Sequence, residues 1–221
     1  MVEFSPELAE ICGIHAGDGY LRDDGQRREL DISGNVEEED YYKNHVFLLF
    51  QKVFNVKINP KLFPSRNTFG FVLRDRNIIK FIHSLGFPYG NKTLIVKAPS
   101  FVIDNNNHQL YVSFLRGLFD TDGHVSCRKF YGKYSLFKRK KHHYPSIQFK
   151  VVSKPLIEDI IKILRLLDFD YNLYSHKPKE NNSNISYQIT INGGDQVTRW
   201  MKEIGSKNSS KLSRYLVWKK F

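Results

Sequence analysis

The chain has 221 residues, of which 41% are hydrophobic and 14% aromatic, so it has the material for one large core or two smaller ones and is not expected to be disordered. We expect neither a membrane span nor a secretion signal, because no apolar run approaches the roughly 20 residues that cross a bilayer and the N-terminus lacks the signal pattern. A formal net charge of +11 and a pI of about 9.5 favour a polyanionic partner, and Cys12 and Cys127 provide neither a disulfide framework nor the spacing of a metal site.

The first half of the chain predicts a helix, a hairpin, a second helix, two more strands and a third helix. The first helix has Ser5 as its N-cap and Pro6 in its first turn. Apolar residues recur at helical spacing in the helices and alternate in the strands. The predicted elements are helix 6–17, strands 20–22 and 28–33, helix 38–54, strands 56–63 and 68–74, and helix 77–85.

The second half repeats this order, and the pair Leu85 and Gly86 at the end of the first set matches Ile204 and Gly205 at the end of the second. The asparagine run 105–107 lies at the join. The predicted elements are helix 107–121, strands 124–131 and 146–152, helix 154–167, strands 171–175 and 185–192, and helix 196–204. We therefore expect two domains of similar build, 1–104 and 105–221.

Each half begins with a helix that ends in an aspartate followed by glycine, at Asp18 and at Asp122. A carboxylate at a helix C-terminus faces the negative end of the macrodipole, which costs about 0.3–1 kcal/mol. Two such placements, 104 residues apart, indicate a duplication whose acids meet at a cation.

Glycines accompany both acids. Gly13 and Gly117 lie inside the helices, where glycine costs about 1 kcal/mol relative to alanine, and this favours a close approach of two helix backbones. Gly19 and Gly123 follow the acids and are expected to adopt the left-handed conformation common at helix ends.

Several strands carry their polar side chains on one side, which is common for any half-exposed sheet. These side chains also have the donor and acceptor groups that read base edges in a major groove. Residues 105–221 contain 21 Lys and Arg against 9 Asp and Glu, whereas residues 1–104 contain 13 against 14, so phosphate contacts are expected mainly in the second half. The predicted DNA contacts are Arg28, Arg74, Arg76, Lys138, Arg139, Lys140, Lys141, Gln148, Lys150, Ser186, Gln188, Thr190 and Asn192.

The sequence of residues 115–123, Leu-Arg-Gly-Leu-Phe-Asp-Thr-Asp-Gly, resembles the motif of the LAGLIDADG homing endonucleases in their single-chain, two-motif form. Residues 11–19 match more loosely. The eighth-position acid is present in both motifs, as Asp18 and Asp122, whereas the sixth-position acid is present only as Asp120 and is replaced by Ala16. The other departures in the first motif are Cys12, His15 and Gly17.

The resemblance implies an α+β fold of two pseudo-symmetric αββαββα domains, with the motif helices packed at the interface and the sheets forming a DNA-binding saddle. It also implies that Asp18 and Asp122 emerge side by side and share divalent cations. Oxygen ligands favour Mg²⁺. Gly17 and Thr121 are counted with the two acids as metal-site residues, and His15 is expected to be a packed helix residue.

A basic residue near each centre is a further implication of the resemblance. Lys97 is the choice for the first centre, with Lys92 as its rival. Because the chain is rich in lysine, a solvent-exposed side chain without a role at the site is an equal expectation for each. Lys211 is the choice for the second centre, because it follows Gly205 by six residues, as Lys92 follows Gly86.

The function that follows from the resemblance is a site-specific, intron-encoded homing endonuclease that makes Mg²⁺-dependent double-strand breaks in a long double-stranded DNA target. We expect an intracellular monomer, in an archaeal cytoplasm or an organelle. Two alternatives stay open: an RNA maturase for intron splicing, with RNA as its partner, and a DNA-binding regulator without catalysis. An intein is not expected, because the final residues lack the His-Asn ending of protein splicing.

Overall fold

Two four-stranded antiparallel sheets with the same strand order organise the chain, which is described here by a computed structural model. The structure describes residues 2–127, 129–130, 141–142, 144–177 and 184–219. Within these ranges no helix is long and apolar enough to cross a membrane.

In the first half, helix α1 begins at a capping Ser5 and ends at the first motif aspartate. A helical segment after β2 starts as a 3₁₀ turn at Val36–Glu38 and contains a π-helical stretch at Tyr42–Val46 between α2 and α3. The elements are α1 (Pro6–Asp18), β1 (Gly19–Asp23), β2 (Arg28–Asn35), α2 (Glu39–Tyr41), α3 (Phe47–Phe54), β3 (Lys61–Phe63), β4 (Thr68–Leu73) and α4 (Arg76–Ser84).

The second half follows a short helix, α5 (Ser100–Ile103), and ends in a helix that has no counterpart in the predicted elements. Asn208 precedes this last helix and accepts a hydrogen bond from the Ser210 backbone N–H at 3.1 Å. The elements are α6 (His108–Asp122), β5 (Gly123–Ser126), β6 (Lys129–Phe130), β7 (Lys141–His142), β8 (Ser146–Val151), α7 (Lys154–Leu166), β9 (Asn172–His176), β10 (Ser186–Asn192), α8 (Gly194–Glu203) and α9 (Ser209–Lys219).

The strand orders are β1-β2-β4-β3 in the first sheet and β5-β8-β10-β9 in the second, so each position in one sheet has a counterpart in the other. Helices cover one face of each sheet. Alternate strand residues point into that core, and Ile32, Phe71, Phe149 and Ile189 are fully or almost fully buried. The α+β fold class expected from the sequence is confirmed.

The two motif helices, α1 and α6, cross at Gly13 and Gly117. A Cβ on Gly13 would lie 2.2 Å from the carbonyl oxygen of Phe114, and a Cβ on Gly117 would lie 2.2 Å from that of Glu10. Each glycine therefore leaves room for the backbone of the other helix, as expected from their cost inside a helix.

The glycines after the acids do not adopt the left-handed conformation that was expected. Gly19 and Gly123 have φ values of −85° and −75° and begin strands in extended backbone. Glycine is needed there for space, because a Cβ would lie 2.0 Å from His15 Nδ1 in the first case and 2.2 Å from Phe119 Cδ2 in the second.

Three further predictions of local structure were inaccurate. Strand 56–63 is reduced to β3, and strand 124–131 is divided between β5 and a separate two-stranded ladder of β6 and β7. Helix 38–54 is present but not uniformly α-helical. Helix α9 was missed because the apolar spacing of residues 209–219 is irregular: Lys211 and Tyr215 are its buried residues.

Candidate active site and nucleic-acid interface

The crossing of α1 and α6 brings the two motif acids to the same end of the helix pair. A Cβ on Gly17, the residue before Asp18, would lie 3.2 Å from the carboxyl carbon of Asp122. The two carboxylates also interact electrostatically, since the charge of Asp122 raises the pKa of Asp18. The juxtaposition expected from the two motifs is therefore present in the structure.

Asp18 is the more enclosed of the two acids. Burial raises its pKa to about 7, and the charge of Asp122 adds to the effect. The hydroxyl of Tyr42 donates a hydrogen bond to Asp18 Oδ2 at 2.6 Å, which opposes the rise. A bound cation would relieve the same repulsion, because it would stabilise both ionised carboxylates.

Asp122 is open to solvent, although the surrounding protein still raises its pKa through the loss of hydration. The positive charges of Lys92 and Lys211 oppose this rise. The two acids therefore have unlike surroundings: one carboxylate is enclosed and hydrogen-bonded, and the other is accessible between two ammonium groups.

Each motif helix has a lysine at its C-terminal end. Lys92 Nζ donates to the carbonyl oxygens of His15 and of Gly17, the latter at 2.7 Å. Lys211 Nζ donates to the carbonyl oxygens of Asp120 at 2.5 Å and of Thr121 at 3.0 Å. These carbonyls belong to the last turn of each helix and carry its negative end, so a cation there is favoured.

Burial lowers the pKa of both lysines, Lys92 to about 8, while the nearby carboxylates oppose the shift. For Lys92 the opposing charges are Asp122 and Asp18, and for Lys211 the largest is Glu38. Lys92 and Lys211 thus occupy matching positions beside the two acids.

The prediction that Lys97 serves the first centre was wrong, because Lys97 does not lie beside the motif acids. Lys97 is exposed, and its charge acts on Asp159 rather than on the motif acids. The chain turns after Lys92, where the backbone N–H groups of Ile95 and Val96 donate to the Lys92 carbonyl, and residues beyond this turn lead away from the helix ends.

Gly17 and Thr121, predicted to be metal-site residues, lie beside the acids with their carbonyl oxygens already engaged by Lys92 and Lys211. A divalent cation at either oxygen would lie against an ammonium group, which disfavours it. The Thr121 hydroxyl is also engaged, since it donates to the carbonyl oxygens of Gly117 and Leu118. Neither residue is a good metal ligand in this arrangement.

Among the described residues, no three or more His, Cys, Asp or Glu side chains form a group that could hold a metal ion. The two carboxylates provide oxygen ligands that suit Mg²⁺ or a similar hard cation. A cation between Asp18 and Asp122 would need further oxygens from water or from a bound phosphate. His15 is not part of the set, because it is buried against the ring of Phe87 at 4.4 Å between centroids.

The sixth-position acid serves the fold. Asp120 is fully buried, and its carboxylate accepts hydrogen bonds from the Ser206 hydroxyl at 2.5 Å and the Lys207 backbone N–H at 2.7 Å. It therefore fixes the segment that leads to Lys211. In the first half, Ala16 stands at this position and the corresponding segment packs through Phe87 on His15.

Three residues of this region were not singled out by the sequence. Tyr42 lies inside the predicted helix 38–54, and nothing in its sequence context distinguishes it from the other aromatic residues there. Glu38 lies in an acidic run without any distinguishing spacing, yet its charge acts on Asp18, Asp122 and Lys211. Asn208, which is fully buried, donates from Nδ2 to Glu38 Oε1 at 2.7 Å and to the Asp120 carbonyl at 2.9 Å, so it connects the two halves at the site.

The open face of the second sheet is polar and carries no carboxylate among its described strand residues. Gln148 is opposite Thr190 in the ladder, and Lys150 is opposite Gln188, so the predicted residues of β8 and β10 share one face. Thr190 is almost buried, however, with only 6% of its surface exposed. The predicted contacts on this face are Gln148, Lys150, Ser186, Gln188, Thr190 and Asn192.

The first sheet presents a different surface, in which arginines are paired with carboxylates. Arg74 forms an ion pair with Glu29 at 2.9 Å, and Arg66 forms one with Asp31 at 2.9 Å. The paired carboxylates offset the positive charge that these two arginines offer to a polyanion.

Two of the arginines predicted to contact DNA do not lie on the open face of this sheet. Arg28 lies in the core-facing series of β2 with Leu30 and forms an ion pair with Asp23 at 3.0 Å. Arg76 is the first residue of α4, beyond the end of β4. Lys138, Arg139 and Lys140 lie outside the described residues, as does the side chain of Lys141 in β7.

Sequence comparisons match the second half of the chain to a known domain family. Residues 109–205 match the family described as LAGLIDADG-like domain. Glutamine–fructose-6-phosphate aminotransferase of Methanocaldococcus jannaschii is 27% identical over 210 residues, 95% of this chain, and an uncharacterised protein of the same organism is 25% identical over 176 residues, 78% of this chain. The chain spans 17% of the length of the first relative and 59% of the second.

Comparisons of structure extend the similarity to the whole fold. The homing endonuclease I-DmoI, in complex with DNA and Mn, has a TM-score of 0.58 at 15% identity over 90% of this chain and 96% of its own. I-LtrWI bound to target DNA has a TM-score of 0.59 at 14% identity over 97% and 90%. The N-terminal LAGLIDADG domain of WhiA has a TM-score of 0.52 at 13% identity over 91% and 82%.

Proposed function

We propose that the protein is a site-specific DNA endonuclease that depends on a divalent cation, because residues 109–205 match the LAGLIDADG-like domain family and the fold is similar to that of the LAGLIDADG homing endonucleases. One observation carries the proposal: Asp18 and Asp122 meet at the ends of two crossing helices, each beside a lysine bonded to the helix end. A scaffold that only binds DNA has no need of two repelling carboxylates.

The two acids would hold the cation, and Mg²⁺ is the proposed ion. A cation held there would supply the activation of water and the stabilisation of the leaving oxygen of a phosphodiester. Asp18 and Asp122 are fixed by the helix crossing, so their separation is set by backbone packing rather than by flexible loops.

Lys92 and Lys211 would place one positive charge on each side of the acids. Both ammonium groups are held by helix-terminal carbonyls, which leaves their charge in a fixed position. Preorganised charge of this kind stabilises the extra negative charge of a phosphate under attack. The DNA would lie along the open faces of the sheets, with phosphate contacts mainly in the second half.

Two other functions fit the same fold. The N-terminal LAGLIDADG domain of WhiA has a similar fold. A regulator or an RNA maturase would keep the polar sheet faces and the basic second half, but neither requires both acids. The retention of Asp18 and Asp122 favours the nuclease.

The test is cleavage of DNA that joins the two flanks of the locus carrying this coding sequence, beside a plasmid pool with randomised inserts. We expect a double-strand break at one site with Mg²⁺, no break with EDTA, and greatly reduced cleavage by Asp18→Asn. DNA binding without any Mg²⁺-dependent break would favour the regulator. Selective binding of intron RNA without DNA cleavage would favour the maturase.

A further inference from the structure

The carboxylates of Asp18 and Asp122 differ in their partners. Tyr42 is fully buried, and its hydroxyl donates to Asp18 Oδ2 at 2.6 Å. Within the described part of the chain, the Asp122 carboxylate accepts no hydrogen bond from any side chain. Residues on the two sides of the site therefore constrain the two acids unequally.

Two local features of the first half place the Tyr42 hydroxyl at this carboxylate. Tyr42 is the first residue of the π-helical stretch Tyr42–Val46, and such stretches re-aim side chains and are frequent at functional sites. Gly34 provides the space, because a Cβ there would lie 2.5 Å from Asp18 Oδ2 and 2.7 Å from the Tyr42 hydroxyl oxygen.

Neither feature is repeated in the second half. Gly19 is opposite Ile32 in the first sheet, and Gly123 is opposite Phe149 in the second, so Val151 occupies the register position that corresponds to Gly34. The helix that follows β8, α7, runs from Lys154 to Leu166 as regular α-helix.

We propose that Tyr42 is a positioning residue for Asp18 alone, so that the two acids hold a divalent cation unequally and the two DNA strands are cut at different rates. The proposal rests on the proposed endonuclease function. Tyr42 holds the Asp18 carboxylate in one orientation through its hydrogen bond to Oδ2, whereas no such contact orients Asp122 among the described residues. Loss of the hydroxyl leaves Asp18 enclosed but free to turn.

The chain provides a matched control. Tyr41 is also buried, and its hydroxyl has no hydrogen-bond partner among the described residues. Tyr42→Phe and Tyr41→Phe therefore make the same chemical change at adjacent positions, and only the first removes a contact with a motif acid. Circular dichroism and thermal melting compare the folding of both variants with that of the wild type.

The first measurement is the binding of Mn²⁺ in the absence of DNA, by titration calorimetry. We expect Tyr42→Phe to weaken Mn²⁺ binding by about tenfold, as for the loss of a hydrogen bond to a charged group. Tyr41→Phe should bind as the wild type does. Equal Mn²⁺ affinity in the wild type and Tyr42→Phe would overturn the positioning role.

The second measurement follows each strand of a labelled DNA target through nicked and linear products. We expect Tyr42→Phe to slow the cleavage of one strand by about tenfold and to change the cleavage rate of the other by less than about twofold. Nicked DNA should therefore accumulate. Equal slowing of both strands would overturn the proposal. A protein with the expected Mn²⁺ result that cuts no DNA would retain the positioning role and contradict only the endonuclease function.

Discussion

At the scale of single residues, the clearest consequence of the site is electrostatic. Burial and the charge of Asp122 raise the pKa of Asp18 to about 7 from its ordinary value near 3.8. Between these two values the folded protein binds a proton that the unfolded chain does not bind. Stability therefore falls as the pH rises through this window, because ionisation of Asp18 is easier after unfolding.

The first prediction concerns the metal-free protein in EDTA. The free energy of unfolding, measured by urea denaturation, should fall between about pH 4 and about pH 7. Asp18→Asn should reduce this fall, because the amide does not ionise. Part of the fall should remain, since burial also raises the pKa of Asp120 to about 6.

Asp104→Asn is the matched control and should keep the wild-type pH dependence, because Asp104 is exposed and its charge is not among those that act on Asp18 or Asp122. An Asp18→Asn variant that keeps the full wild-type pH dependence would contradict the raised pKa of Asp18.

The sequence could identify the motif acids but not all of their neighbours. Asp18 and Asp122 follow from a pattern within one helix, which a linear sequence displays directly. Lys92 was not preferred over Lys97, because the turn after Lys92 decides which of the two ammonium groups points to the helix end. Tyr42 depends on a π-helical stretch and on space at Gly34, and neither has a sequence pattern of its own.

At the scale of elements, the crossing of α1 and α6 holds the site together. The Cβ of an alanine at Gly117 would lie 2.2 Å from the Glu10 carbonyl oxygen and 2.9 Å from the Ile14 nitrogen. Backbone atoms of a buried helix cannot move aside independently, so the two helices would have to separate. The motif acids at their ends would separate with them.

We predict that Gly117→Ala destabilises the protein by about 3 kcal/mol, at the upper end for overpacking, despite the higher helix propensity of alanine. Urea denaturation measures the change. Gly194→Ala is the control, because its Cβ would meet only side-chain atoms of Trp218 at 3.3 Å. It should change stability by less than about 1 kcal/mol. An equal effect at both positions would mean that the helix crossing is not tight.

The sequence predicted the order of the main elements and the helix crossing, because periodicity and interior glycines are local signals. It did not predict the extended backbone at Gly19 and Gly123. That conformation follows from the strand that each glycine begins and from the His15 and Phe119 side chains behind it. Helix α9 was missed because the apolar spacing of residues 209–219 is irregular, with Lys211 and Tyr215 as its buried residues.

At the scale of the whole molecule, two similar sheets carry unlike surfaces. The open face of the second sheet has Lys150 and neutral polar groups without a carboxylate among its described strand residues. The first sheet pairs Arg74 with Glu29 and Arg66 with Asp31. The unequal charge of the two halves is thus reproduced on the surfaces proposed to meet DNA, and the division at residues 104 and 105 stays a prediction.

The central claim is that Asp18 and Asp122 form one composite centre, so that a neutral amide at either position stops double-strand cleavage. Asp18→Asn and Asp122→Asn remove a charge at nearly constant volume, and DNA binding measured in Ca²⁺ by gel shift reports whether each variant still folds and binds. The deciding measurement is the rate of linear product from a supercoiled plasmid that carries the target, in Mg²⁺. We predict at least a 100-fold loss of linear product for each variant with DNA affinity retained, as when one preorganised electrostatic group is removed from an active site. Linear product at the wild-type rate from either variant would contradict the composite centre.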